Sequence, residues 1–186
     1  MSQRFPMRSR SIIMLLVLGA LIGISTTHPV LGSEQAHPSL TATHAGMTWT
    51  VLEQRADGVV HVGKDSQTNP YYGDTPATAS RPVLCLYINY NPVPAGITPD
   101  FYNGWARGAV HMTPPVAGSQ LTSRAAANAL CAANFGSGWR MAEFHHGRYG
   151  PNLTSVGGWS FWAYGAFPAG TRFWVAINDQ PANPWN

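Results

Sequence analysis

Apolar and polar positions alternate with the two-residue period of β-strands in several short stretches of this chain, and with the helical period in one. Trp49 to Glu53 and Val59 to Val62 are β-prone runs separated by Arg55-Ala-Asp57-Gly58. Asp-Gly is a hairpin signal, so these two runs are expected to pair. Lys64 to Ser80 is rich in Asp, Asn, Pro, Gly and Thr and predicts a loop. Val83 to Tyr90 is the strongest strand pattern; it is apolar on both faces, which predicts a central strand. The prolines between Asn91 and Asp100 forbid regular structure, Phe101 to Trp105 reads as an aromatic turn, and Gly108 to Thr113 as a further short strand. From Thr122 to Gly136 the pattern changes to a helix of about residues 123–134. Thr122 or Ser123 supplies the N-cap, the alanines supply propensity, and Gly136 supplies the stop. Ala127, Leu130, Cys131 and Asn134 share one face of it, which points Cys131 at the sheet. Trp159 to Tyr164 is either a strand or a packed aromatic loop, and Arg172 to Ile177 is a second good strand. These elements describe an α+β fold, mostly antiparallel β with one firm helix.

The first 32 residues do not belong to that pattern. Arg4, Arg8 and Arg10 precede an apolar run of 13 residues, Ile12 to Ile24, and Val30-Leu31-Gly32 offers small or branched residues for cleavage. This is the layout of a signal peptide, and the run falls short of the roughly 20 apolar residues that span a bilayer. The expected organisation is a signal peptide over 1–32, a flexible lead-in over 33–47 and a single domain over 48–186. The product is exported, secreted or periplasmic, with no membrane anchor after cleavage. Removing the leader also alters the charge. The whole chain carries +3, but the residues after Gly32 hold eight basic and eight acidic side chains. A neutral product has no cationic strip for a phosphate backbone, so nucleic acid is not an expected partner.

Cys85 and Cys131 are the two cysteines of the chain. In an oxidising compartment they can form one bridge, worth roughly 3–4 kcal/mol in the chain-entropy model; the alternative is a pair of buried thiols. Their spacing fits neither a zinc knuckle nor a thioredoxin-type site. The densest titratable cluster is Glu143-Phe-His145-His146. With Asp179 arriving through folding, Glu143 and His145 can serve acid–base chemistry, and Glu143, His145 and His146 are the corresponding metal-ligand candidates. The alternative is that Glu143 pairs with Arg140 or Arg148 on a solvated turn. No nucleophile elbow, P-loop or dinucleotide fingerprint occurs, and no cofactor is implied.

Residues 121–179 also carry a family pattern. A cysteine-bearing, alanine-rich helix leads to Gly138-Trp-Arg-Met-Ala-Glu-Phe144, and some thirty residues later comes Trp174-Val-Ala-Ile-Asn-Asp179. This resembles the helix, turn and core strand of C-type-lectin-like domains. Stretches such as Trp139 to His145 and Ile177 to Asn183 are also similar to a set of exported bacterial proteins without assigned function. The resemblance implies a C-type-lectin-like or related fold. Those lectins continue past the core strand into a long loop region that holds calcium and sugar, whereas seven residues follow Asp179 here. Asn178 to Asn183 therefore does not reproduce their calcium cage.

The seven tryptophans are the most distinctive feature of the composition. Aromatic rings stack on the apolar faces of sugars and dominate protein–protein contacts. Trp159, Trp162 and Tyr164, set among glycines, are the expected ligand-facing residues. The leading expectation is thus an exported, non-enzymatic binding or surface-associated module that recognises a glycan or a protein through an aromatic face. The alternative is a small secreted hydrolase, with or without a metal, using Glu143, His145 and Asp179. The two are separated by whether those three side chains converge.

Overall fold

The computed structural model describes residues 44–149 and 158–186, so the signal-peptide segment lies outside the described residues. Eleven strands appear among them: β1 (Ala45–Gly46), β2 (Thr48–Gln54), β3 (Val59–Gly63), β4 (Thr75–Pro76), β5 (Ser80–Arg81), β6 (Leu84–Ile88), β7 (Asn103–Met112), β8 (Val116–Ala117), β9 (Arg140–Met141), β10 (Ser160–Tyr164) and β11 (Arg172–Trp174). Helix α1 spans Arg124–Phe135. Seven strands form one sheet in the order β11-β2-β3-β10-β7-β6-β9, and the other four make two small paired ribbons. The fold is α+β and mostly β, as the periodicity predicts.

The sheet curls until its ends meet. Trp174, the last residue of β11, bridges Val83, and Ala176 just beyond it bridges Glu143, both in parallel sense. The inner face is filled by Met47, Trp49, Val62, Leu84, Leu86, Phe161 and their neighbours, with Trp49 lying 5.6 Å from both Phe144 and Phe161 between ring centroids. A second, smaller core lies between the sheet and α1, around Val83, Cys85, Ala127, Cys131 and Trp174. Strand β6 serves both: Leu84 and Leu86 enter the large core, while Cys85 turns to the helix. The Cys85–Cys131 disulfide joins the two, with Cα atoms 5.6 Å apart. Helix α1 starts where its cap predicts, since the Ser123 hydroxyl accepts the Ala126 N–H at 3.0 Å, and it stops at Gly136, whose φ is +102°.

Four expectations are changed or sharpened in detail. The middle strand of the seven is β10, the longest is its neighbour β7, of ten residues, and β6 lies between β7 and the short edge strand β9. Gly104, expected in an aromatic turn, and Gly108, expected in a short strand, both lie in β7 and are required by close approach. A Cβ at Gly104 would stand 1.9 Å from the Gly147 carbonyl oxygen, and one at Gly108 would stand 2.0 Å from that of Tyr87. The ordered fold also begins ahead of residue 48, because Ala45–Gly46 pairs with Thr75–Pro76 and the buried Met47 donates its N–H to Ala182. Finally, β10 is a strand, antiparallel to β3 and parallel to β7. Its residues Ser160, Trp162 and Tyr164 therefore share the face opposite the large core.

Candidate functional site

The proposed aromatic face can be followed along β10. Trp162 sits in register with His61 of β3 and Trp105 of β7. Its ring stacks on the His61 imidazole at 4.3 Å and 8°. Tyr164 meets the buried Trp105 edge-on at 5.4 Å, and the Trp105 indole N–H donates to the Asn91 carbonyl at 2.8 Å. The proline-rich loop thus lies against this face, and Trp162 and Tyr164 are half-buried in it.

Trp159, at the start of the same strand, is placed differently. Its φ of +36° lies in the left-handed region that non-glycine residues avoid. The ring packs against Phe144 at 5.1 Å and borders an open depression of about 390 Å³. Leu52, Lys64, Tyr102, Asn103 and Ser160 complete the lining. Leu52 is 41% exposed because the β2–β3 pairing slips by one residue between Val51 and Glu53. Tyr102 is 58% exposed because the Asp100 carboxylate accepts the Tyr102 and Asn103 N–H groups, each at 2.7 Å, in a turn that carries the tyrosine outward. The Lys64 ammonium lies 4.9 Å from the Trp159 ring centroid, a cation–π contact worth about 0.5–1 kcal/mol where exposed.

The floor of the depression is polar and satisfied. The Ser160 hydroxyl donates to the Tyr102 carbonyl at 2.7 Å, so the His61 Nε2–H, 2.8 Å away, is the donor to the Ser160 oxygen. Burial pushes the His61 pKa down to about 4, with the Asp100 carboxylate acting in the opposite sense. Hydrogen bonds from Asn103 hold Asp100 below the usual carboxylate range, although partial desolvation works against them. His61 is therefore neutral at pH 7. It is a structural donor here, and Ser160 is not poised as a nucleophile.

The second constellation lies where the sheet closes. The Glu143–Ala176 bridge brings the turn after β9 beside the chain that follows β11, so Glu143, His145 and Asp179 converge. Buried Glu143 accepts the His145 backbone N–H at 2.8 Å, and its other oxygen lies 2.7 Å from His145 Nδ1. His145 Nε2 faces the Asp179 carboxylate at 3.5 Å, and Asp179 is largely exposed. The Glu143 N–H donates to His146 Nδ1 at 3.0 Å, so that imidazole nitrogen is turned to the backbone. Nearby, the Arg124 guanidinium donates to Asn178 at 3.1 Å; burial lowers its pKa while the Glu143 charge opposes the shift. The triad can pass a proton between a buried and an exposed carboxylate. Its imidazole faces a carboxylate at both ring nitrogens, which ties the turn after β9 to the segment after β11. Among the described residues, no group of three or more His, Cys, Asp or Glu side chains is arranged to hold a metal ion.

Of the three aromatic residues singled out from sequence, Trp159 borders the depression, whereas Trp162 and Tyr164 pack on neighbouring strands. Tyr102, Leu52, Lys64 and His61 were not legible as site residues. The one signal available for them was the Asp100-Phe-Tyr-Asn103 turn. No protein-family model, curated protein or solved structure matches the chain. Among the described residues, no helix is long and apolar enough to cross a membrane.

Proposed function

We propose that this is an exported, non-enzymatic binding module that takes a glycan in the depression beside Trp159. The observation that carries the reading is the wall itself: an indole held by a strained backbone, flanked by two large apolar side chains, Tyr102 and Leu52, that stand open to solvent. Exposed aromatic surface of this kind suits the C–H face of a sugar ring. The Cys85–Cys131 bridge fits the oxidising compartment that a signal peptide over 1–32 leads to. A C-type-lectin-like ancestry is part of the proposal and rests on the helix, the Gly138 to Phe144 turn and the Trp174 to Asp179 segment. The test is calorimetric titration of the purified protein with a panel of oligosaccharides, repeated on Tyr102→Ala. Tyr102 is mostly exposed, so its loss leaves the fold intact. Binding in the parent that weakens in the variant supports the reading, and absence of binding across the panel refutes it.

One observation favours a second reading: Glu143, His145 and Asp179 do converge, as a hydrolase would require. Its test is a screen with chromogenic esters and glycosides, comparing the parent with Asp179→Asn. Turnover that the substitution abolishes would establish the hydrolase.

A further inference from the structure

The depression carries one charge that enters no ion pair among the described residues. Lys64 is the sole lysine of the chain, and it is exposed at the rim of the Trp159 wall. Its contact with the protein is the weak cation–π one over that ring. The ion pairs among the described residues are Arg55–Asp57, Arg172–Asp65, His145–Glu143 and His145–Asp179, and none includes Lys64. The adjacent carboxylates are already committed. Asp65 bonds Arg172 and accepts the N–H groups of Gln67 and Thr68. Asp100 is held by Asn103 and two backbone N–H groups. The depression therefore presents an apolar aromatic wall with an uncompensated cation at its edge.

Resting on the glycan reading above, we infer that the ligand is an acidic sugar, with Lys64 as the residue that reads its carboxylate. A hexuronate satisfies both parts of the wall at once. Its C–H face lies on Trp159 and Tyr102, and its ring carboxylate draws the ammonium from the indole face to the rim. An exposed cation–π contact is readily exchanged for a charge-assisted hydrogen bond. A neutral hexose makes the first contact and forgoes the second.

The experiment titrates the purified protein at low salt with a galacturonate oligomer and with a neutral galactose oligomer of equal length, in the parent, Lys64→Gln and Tyr102→Ala. The acidic oligomer is expected to bind about five-fold more tightly than the neutral one, the scale of one exposed ion pair. Lys64→Gln erases that preference, and Tyr102→Ala weakens both ligands. Raising the salt narrows the preference. Equal binding of the two oligomers by the parent, or a preference that survives Lys64→Gln, overturns the acidic-sugar inference and leaves the glycan reading standing. Failure of both oligomers to bind overturns the inference. If the wider oligosaccharide panel is silent as well, the glycan reading falls with it.

Discussion

His61 makes the stability of this domain depend on pH between about 4 and 6.5. Its imidazole is stacked on Trp162 and bonded to Ser160 in the protonation state that carries no charge, and burial lowers its pKa from 6.5 to about 4. Because the folded value is depressed, the unfolded chain binds the proton more readily. The neutral form costs nothing above pH 6.5. As pH falls from 6.5 towards 4 the folded state loses about 1.4 kcal/mol per pH unit from this group, and below 4 the loss levels off near 3 kcal/mol. The depressed carboxylates Asp65 and Asp100 act in the same direction but lower on the pH scale: their stabilisation is present above the usual carboxylate range and is lost as pH falls through and below it, under the His61 window. Urea titrations of the parent and His61→Gln at pH 7.5 and 4.5 isolate the effect, since every other group contributes to both proteins. The parent is expected to lose about 2.5 kcal/mol more than the variant between the two values. Parallel losses in the two proteins would show that His61 is not held neutral by burial.

Three further outcomes follow from the packing. Replacing Cys85 and Cys131 together by alanine opens a loop with a separation of 46 residues, and the chain-entropy model then gives a loss of about 4 kcal/mol in urea unfolding; a loss below about 1 kcal/mol would contradict a clamping role. Ser123→Ala removes the hydroxyl that caps α1 and should cost about 1 kcal/mol, read as a lowered thermal midpoint. Gly104→Ala places a methyl against the Gly147 backbone and should cost about 3 kcal/mol or abolish folding, whereas Gly136→Ala, open to solvent, is penalised by its positive φ alone.

What could be read from sequence was local. Ser123 and Gly136 mark the helix because caps act within one turn, and Asp57-Gly58 marks the β2–β3 hairpin because the turn sets its own pairing. A helix face and a strand alternation, each short-range, made the Cys85–Cys131 bridge possible, and the fold decides it over a pair of buried thiols. What escaped was set by distant neighbours. Gly104 reads as part of a turn, and the need for glycine at Gly108 does not show, because the carbonyls that crowd them belong to Gly147 and Tyr87. Trp162 and Trp159 look alike in the sequence, and only His61 and Trp105, brought across by β3 and β7, decide which of the two is covered. Asp179 joins Glu143 and His145 through a bridge that spans the closure of the sheet, so the cluster around Glu143 was visible while its third member was a guess about folding. Lys64 and Tyr102 became a site only because a slipped register and an Asx turn exposed Leu52 and Tyr102 beside Trp159.

The account stands on the depression being a binding surface. Titration calorimetry of the purified protein against neutral and acidic oligosaccharides, alongside Tyr102→Ala, addresses that claim most directly. The prediction is saturable binding by the parent that Tyr102→Ala weakens by about ten-fold or more, the scale of losing an aromatic contact residue at the centre of an interface. Identical isotherms for parent and variant, or no heat of binding with any oligosaccharide, would contradict it.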